Sequence, residues 1–388
     1  MTLILVFSMA LLAAVLLSGV AERTVISTAV LFLLVGFLAG EFGFLNLEPG
    51  DPLVSRLAEL ALFSVLFTDG MRVGVRDLAA AWRLPGRALA LGMPITFALT
   101  ALFAHYVAGL PWTESFLVGA VLSPTDPVFA SAIVGRKEVP LRLRRLLNVE
   151  SGVNDGLALP VVVVLLAVVG QNETEYALIA GELALGVVIG VVVPYFMLRL
   201  ERTRLFDLSA RYEPLYAFAV GIFVYALSSV VQANLFLAAF SAGVTMVTVA
   251  PHFRDAFHEF GELITELLKL AAILVFGVLI SLAFLGEIGP GGYVFALLTL
   301  FVVRPVAILI SFLGSRIGVK EWFAVAWFGP KGFASVVYGL LILESGVALA
   351  DEMFHLIAVA VAASILLHSS TDVLVARQFE DVEEASGG

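Results

Sequence analysis

The sequence predicts an all-α polytopic membrane protein, on three observations. Of its 388 residues, 61% are hydrophobic and only 14% charged, with Lys occurring four times, a composition outside that of soluble domains. Long, nearly charge-free runs recur along the chain, each able to cross about 30 Å of hydrocarbon as a helix. No segment alternates with period two over the ~10 residues that a membrane β-strand requires. The absence of cysteine excludes a disulfide framework, a thiolate metal site and a cysteine nucleophile. A net charge of -10 argues against nucleic acid as a partner. The first apolar run begins at Leu3 with no basic stretch before it, so no cleavable signal peptide is expected.

Apolar runs bounded by charge, Gly or Pro place thirteen spans. Residues 3–20 form the first, closed by Glu22 and Arg23, and 24–42 the second, ahead of Glu48, Pro49 and Asp51. Span 3, 54–71, stops at Arg72, and span 4, 87–109, runs from Arg87 to Gly109. Span 5, 113–134, lies between Pro111 and the basic pair Arg136-Lys137; span 6, 148–170, is divided from span 7, 176–198, by Glu173 and Glu175. The arginine-rich stretch 199–211 leads to span 8, 213–231, and Gln232 separates it from span 9, 233–250. A polar segment after Pro251 precedes span 10, 261–285, and Gly289-Pro290 precedes span 11, 291–315. Span 12, 322–344, follows Lys320, and span 13, 351–373, follows Gly346. Connections this short leave no soluble domain, so residues 1–378 are expected to form one membrane domain and 379–388 a short acidic, disordered tail.

Eighteen of the 22 basic residues fall in the tail or in connections after odd-numbered spans, while Glu48, Asp51, Glu173, Glu175 and Glu287 lie on the opposite side. Basic loops are retained in the cytoplasm, which predicts an outside N-terminus and a cytoplasmic C-terminus in a plasma or bacterial inner membrane. Lys269, Arg304 and Lys331 remain inside spans. A charge there costs about 2.5–3.5 kcal/mol even on insertion scales, so each needs a partner or a task.

Two spans are interrupted. Span 5 reads Ser123-Pro124-Thr125-Asp126-Pro127, and Asp-Pro is a helix-start signature, so two half-helices are expected to meet there with Asp126 offsetting the dipole of the second. Span 12 reads Gly329-Pro330-Lys331-Gly332, where the lysine is expected to compensate the free carbonyls of a first half-helix. Spans 5 and 12 run in opposite directions, seven spans apart. That pattern predicts inverted six-helix repeats, spans 1–6 and 8–13, joined by linker span 7.

Span 6 opens Asn148-Val149-Glu150-Ser151-Gly152-Val153-Asn154-Asp155-Gly156. Helical spacing stacks Glu150 on Asn154 and Ser151 on Asp155, an all-oxygen set suited to an alkali cation or a proton. Arg304 in span 11 is the natural counter-ion for Glu150. That pairing assigns no cation to Asp155, and burial then makes it the candidate for exchangeable protonation.

Thr125-Asp126-Pro127, the run from Glu150 to Gly156, and Gly329-Pro330-Lys331-Gly332 together resemble the NhaP-type sodium/proton antiporters, bacterial and archaeal relatives of the animal exchangers. The resemblance covers essentially the whole chain. It implies a secondary transporter rather than an enzyme, without cofactor, a homodimer in the lipid bilayer with a dimerisation and a mobile core subdomain, and elevator-type exchange of Na+ or Li+ for H+. It further implies that Asp155 binds cation and proton in competition, within a cation-binding set of Asp155, Asp126, Thr125, Ser151 and Glu150. Asn154, Arg304 and Lys331 then give structural support, Glu150 holding Arg304. Asn154 stands where electrogenic relatives have a second Asp, which favours electroneutral exchange. Two departures are Lys331, where similar proteins often have Arg, and Asp69, where they often have Glu.

A K+/H+ antiporter of the same fold remains open. So does a proton-gated channel, although one chain of this pattern lacks repeated filter residues. An intramembrane hydrolase would need a nucleophile motif that the sequence lacks. Among the remaining polar residues, His252 and His258 read as loop residues, Glu266 and Lys269 as an ion pair on the surface of span 10, and Trp112 and Trp322 as interfacial anchors.

Overall fold

A computed structural model describes residues 1–21, 27–74, 84–126, 140–170, 176–203, 208–315 and 317–386, and all regular structure among them is helical. The helices of nine residues or more are, in order, α1 (Thr2–Ala21), α2 (Thr28–Glu41), α3 (Pro52–Arg72), α4 (Leu84–Tyr106), α5 (Trp112–Val121), α6 (Leu141–Val169) and α7 (Tyr176–Glu201). They continue with α8 (Glu213–Val230), α9 (Leu235–Val249), α10 (His252–Leu279), α11 (Pro290–Ser311), α12 (Val319–Trp327), α13 (Phe333–Glu344) and α14 (Ala350–Ser386). Among the described residues, six helical stretches are long and apolar enough to cross a membrane on length and composition, Leu84–Tyr106, Gly152–Val169 and Pro290–Ser311 among them.

Helix ends follow local chemistry. Ser27 and Asn234 accept from the Val30 and Leu237 N–H groups, and so cap α2 and α9. Within α4 and α11 the backbone widens into five-residue π segments, Ala88–Gly92 and Thr299–Val303. Pro94 and Pro305 each follow two residues later and withhold an N–H from the ladder, which is the usual cause of such a local rearrangement.

Several expectations are corrected. The helix carrying span 10 starts at His252, so His258 lies on α10 and pairs with Glu262 at 3.4 Å instead of sitting in a loop. Glu266 is exposed while Lys269 is buried, so the two do not share the helix surface, because the amphipathic α10 turns them to different environments. The acidic tail is helical to Ser386, its Glu and Ala residues extending α14 without a breaker. Trp112 is exposed and stacks on His105 at 4.1 Å, whereas Trp322 packs against an apolar cluster.

The fold divides into two compact units, residues 1–56, 83–151 and 270–388 in one, and 57–82 and 152–269 in the other. In the first, α2 meets α10 through facing glycines: a Cβ on Gly36 would lie 2.1 Å from the Leu274 carbonyl oxygen, and one on Gly277 2.4 Å from that of Leu33. In the second, Gly186 and Gly190 seat α7 on α9, where added Cβ atoms would meet the Asn234 and Ala238 carbonyls at 2.6 and 2.4 Å. Small residues at four-residue spacing bring helix backbones close where lipid supplies no hydrophobic drive. The second unit also has a hydroxyl seam, Thr265 bonding Ser64 and Thr68 at 2.8 and 2.9 Å, which ends at Arg72 on Glu262 and Asp69.

The Gly277→Ala variant is expected to lose about 1–3 kcal/mol of stability by overpacking, measured as thermal unfolding in detergent. Gly286, where an added Cβ would meet nothing within 4 Å, is the control: Gly286→Ala should leave the transition unchanged.

Candidate functional site

In the first unit the unwound segment after α5 and the break between α12 and α13 are tied to each other. Helix α5 ends at Val121, and residues 123–126 are non-helical; residues 127–139, which include the second half of span 5 up to residue 134, lie outside the described residues. Between α12 and α13, residues 328–332 are likewise unwound. The Asp126 N–H donates to the Pro330 carbonyl at 3.0 Å, and the Phe333 N–H donates to Asp126 Oδ2 at 3.4 Å. Asp126 thus faces the N-terminus of α13, where free N–H groups and the helix dipole favour an anion. The sequence pointed to the half-helix after Asp126, so the partner found here is one that sequence neighbours do not reveal. The Ser335 hydroxyl returns the contact by donating to the Val121 carbonyl at the end of α5, at 2.7 Å. Only glycine fits at 332, where a Cβ would lie 2.1 Å from the Asp126 Cβ.

Lys331 does not cap α12 as expected. Its side chain is 1% exposed, and Nζ has no hydrogen-bond partner among the described residues. Turn bonds satisfy the end of α12 instead, with the Phe328 N–H on the Ala324 carbonyl and the Gly329 N–H on that of Trp327. The Lys331 backbone N–H donates to Ser364 Oγ at 2.7 Å, and Trp327 Nε1 to Thr371 Oγ1 at 2.9 Å, so α14 holds both sides of the break.

The expected Glu150–Arg304 pair is present. Arg304 Nη1 and Nη2 reach Glu150 Oε1 and Oε2 at 2.5 and 3.0 Å, and both residues are 4% exposed. Gly329 abuts the same guanidinium, since a Cβ there would lie 2.3 Å from Arg304 Nε. One turn further along α6, in the second unit, Asn154 and Asp155 are buried. Gly152 and Gly156 flank them: Gly152 faces Val73 and Gly156 faces the Phe240 ring. Asp155 is not isolated, since neighbouring groups engage it as they do Asn154, Asp126 and Thr125. Thr125 and Asp126 are buried, and the side chain of Ser151 lies outside the described residues.

At the start of α6, Arg142 forks onto Glu321 near the start of α12, Nε to Oε1 at 2.7 Å and Nη2 to Oε2. Glu321 Oε2 also accepts the Gly318 N–H at 3.0 Å, closing the first turn of α12. The hydrogen bonds that Arg142 donates to Glu321 raise its pKa above the ordinary value. Burial alone would raise the Glu321 carboxyl, but hydrogen bonds from Arg142 and the Gly318 N–H outweigh it and hold the pKa below the ordinary value. Sequence reading missed Glu321, Ser335 and Ser364. A lone hydroxyl in an apolar span is a visible signal, but its acceptor is known only once helices cross.

The profile of the transmembrane sodium/hydrogen exchanger family matches residues 7–377. The chain belongs to that family. It is a multi-pass membrane protein of a family of exchangers, not of enzymes, as the sequence resemblance implies. It is 28% identical over 377 residues to the K(+)/H(+) antiporter NhaP2 of Shewanella baltica (strain OS223), covering 94% of this chain and 64% of the relative. It is 26% identical over 391 residues to the K(+)/H(+) antiporter NhaP of Alkalimonas amylolytica, covering 99% and 68%. The chain therefore spans about two thirds of the length of these curated relatives. Its fold is similar to that of the sodium proton antiporter MjNhaP1 from Methanocaldococcus jannaschii, with a TM-score of 0.77 at 19% identity over 98% of this chain and 99% of that one.

Arg304→Met should cost about 3–5 kcal/mol by stranding a buried carboxylate, and Glu150→Leu combined with it should recover most of the loss in a thermal unfolding assay. Because the folded Glu321 pKa is depressed, its contribution is present above the unfolded-state value and is lost as pH falls through the folded one. Glu321→Gln should therefore be less stable than wild type at neutral pH and show a shallower loss on acidification.

Proposed function

We propose that the chain exchanges a monovalent cation for a proton across the membrane, with Asp155 binding either in competition. The observation that carries this reading is the forked Glu150–Arg304 pair: it neutralises Glu150 in place and leaves Asp155, one turn on, as the exchanging carboxylate of α6. Asp126, Ser151, Thr125 and Glu150, the last through its pair with Arg304, complete the cation-binding set, with Asn154, Arg304 and Lys331 as support. One carboxylate neutralised by one proton or one monovalent cation makes the exchange electroneutral. An empty, charged carboxylate is costly to carry through hydrocarbon, which couples the two fluxes.

The chain crosses the membrane thirteen times from an outside N-terminus, as two inverted repeats around span 7. Two features support the repeat: spans 4 and 11 both carry a π segment two residues before a proline, and spans 5 and 12 both unwind. It works as a homodimer by elevator-type movement of a core subdomain. Na+ or Li+ is the cation. K+ is the second reading, favoured by the names of the curated relatives.

In proteoliposomes with an acid interior, external Na+, Li+ or K+ should dissipate the pH gradient in wild type, whether or not the membrane potential is clamped. Asp155→Asn should abolish that loss. Loss that persists in the variant removes Asp155 from the carrier role, and the most effective cation names the substrate.

A further inference from the structure

The start of α6 and the first half of the broken span 12 are braced at two levels. Arg142 and Glu150 are eight residues apart on α6, about 12 Å along its axis, and Glu321 and Gly329 are eight residues apart on the path from α12 into the break. The outer rung is the Arg142–Glu321 fork; the inner one is Glu150–Arg304, against which Gly329 packs without room for a Cβ. Between the rungs lies a buried apolar cluster that includes Leu143 and Leu146 from α6 and Ala324, Val325 and Phe328 from span 12. Solvent reaches 52% of the Arg142 side chain but only 11% of that of Glu321, whose carboxylate is held by the fork and by the Gly318 N–H. An exposed ion pair alone contributes little, but here the loss of Arg142 would strand a largely buried carboxylate at the root of α12.

We propose that Arg142 and Glu321 are positioning residues for exchange: their pair sets the depth at which the 328–332 break meets Asp126, Glu150 and Arg304. The inference rests on the antiport reading, because its effect is exerted on the cation site. Displacement of a binding group by about 1 Å is enough to alter function by orders of magnitude, so a rung remote from the site can govern affinity.

The test combines cation-dependent proton movement in proteoliposomes with hydrogen–deuterium exchange of the 328–333 amides in the full chain, for wild type, R142Q, E321Q, the R142Q/E321Q double variant and R142K. Either single variant is expected to raise the half-saturating cation concentration by about threefold or more, with the maximal rate changed less than about twofold. Amide exchange across 328–333 should accelerate about tenfold. The double variant should be no worse than either single one, and R142K should recover most of the affinity. Unchanged half-saturation and unchanged amide exchange in both single variants would overturn the proposal. So would reduced stability and maximal rate at an unchanged half-saturating concentration, which is the pattern of a support for folding alone. If wild type moves no protons in response to any cation, the antiport reading fails, and the amide exchange still reports separately whether the pair positions the break.

Discussion

Hydrocarbon offers no water to a backbone that has left its helix, and most of the polar arrangement in the first unit follows from that constraint. Two spans unwind, and their exposed groups are satisfied largely by each other: Asp126 takes the Phe333 N–H and gives its own to Pro330, while Ser335 reaches the Val121 carbonyl. Each break is thus the other's solvent. The clasp requires glycine at 332, and it places a carboxylate and a fully buried lysine on adjoining irregular segments without a helix ladder to insulate them. Backbone groups freed from a helix are what an ion stripped of its hydration can use, so the feature that endangers folding also makes a transport site feasible.

Charge is handled along one spine. Helix α6 begins with Arg142 in water, passes the neutralised Glu150, and then presents Asn154 and Asp155 among buried residues. The forked bonds to Arg304 consume both oxygens of Glu150, so its cost of burial is met by a partner that cannot move away without stranding a charge. A carboxylate held in such a fork is committed to fastening α6 to Arg304 of α11.

Rigidity elsewhere comes from backbone proximity instead of polar bonds. Gly36 against Gly277 in one unit, and Gly186 and Gly190 against α9 in the other, let helices approach until a methyl group would collide with a carbonyl. At these seams close packing of backbones, not side-chain bonding, holds neighbouring helices together.

Composition and periodicity were enough to determine that the chain is helical and membrane-spanning, because charge-free runs about 20 residues long have no other low-energy use. The proline-glycine interruptions declared where helices would fail, and the Glu150–Arg304 pair was legible by elimination, since two buried charges of opposite sign have to meet. Tertiary structure alone decided who satisfies whom: that Asp126 serves α13, that Lys331 leaves the end of α12 to turn bonds, that Lys269 is buried while Glu266 stays on the surface, and that Glu321 answers Arg142. The difference has a physical cause. Burying a polar group demands some partner, and that demand is written in the residue type, but the partner's identity depends on distances between segments up to about 200 residues apart, which only helix packing sets.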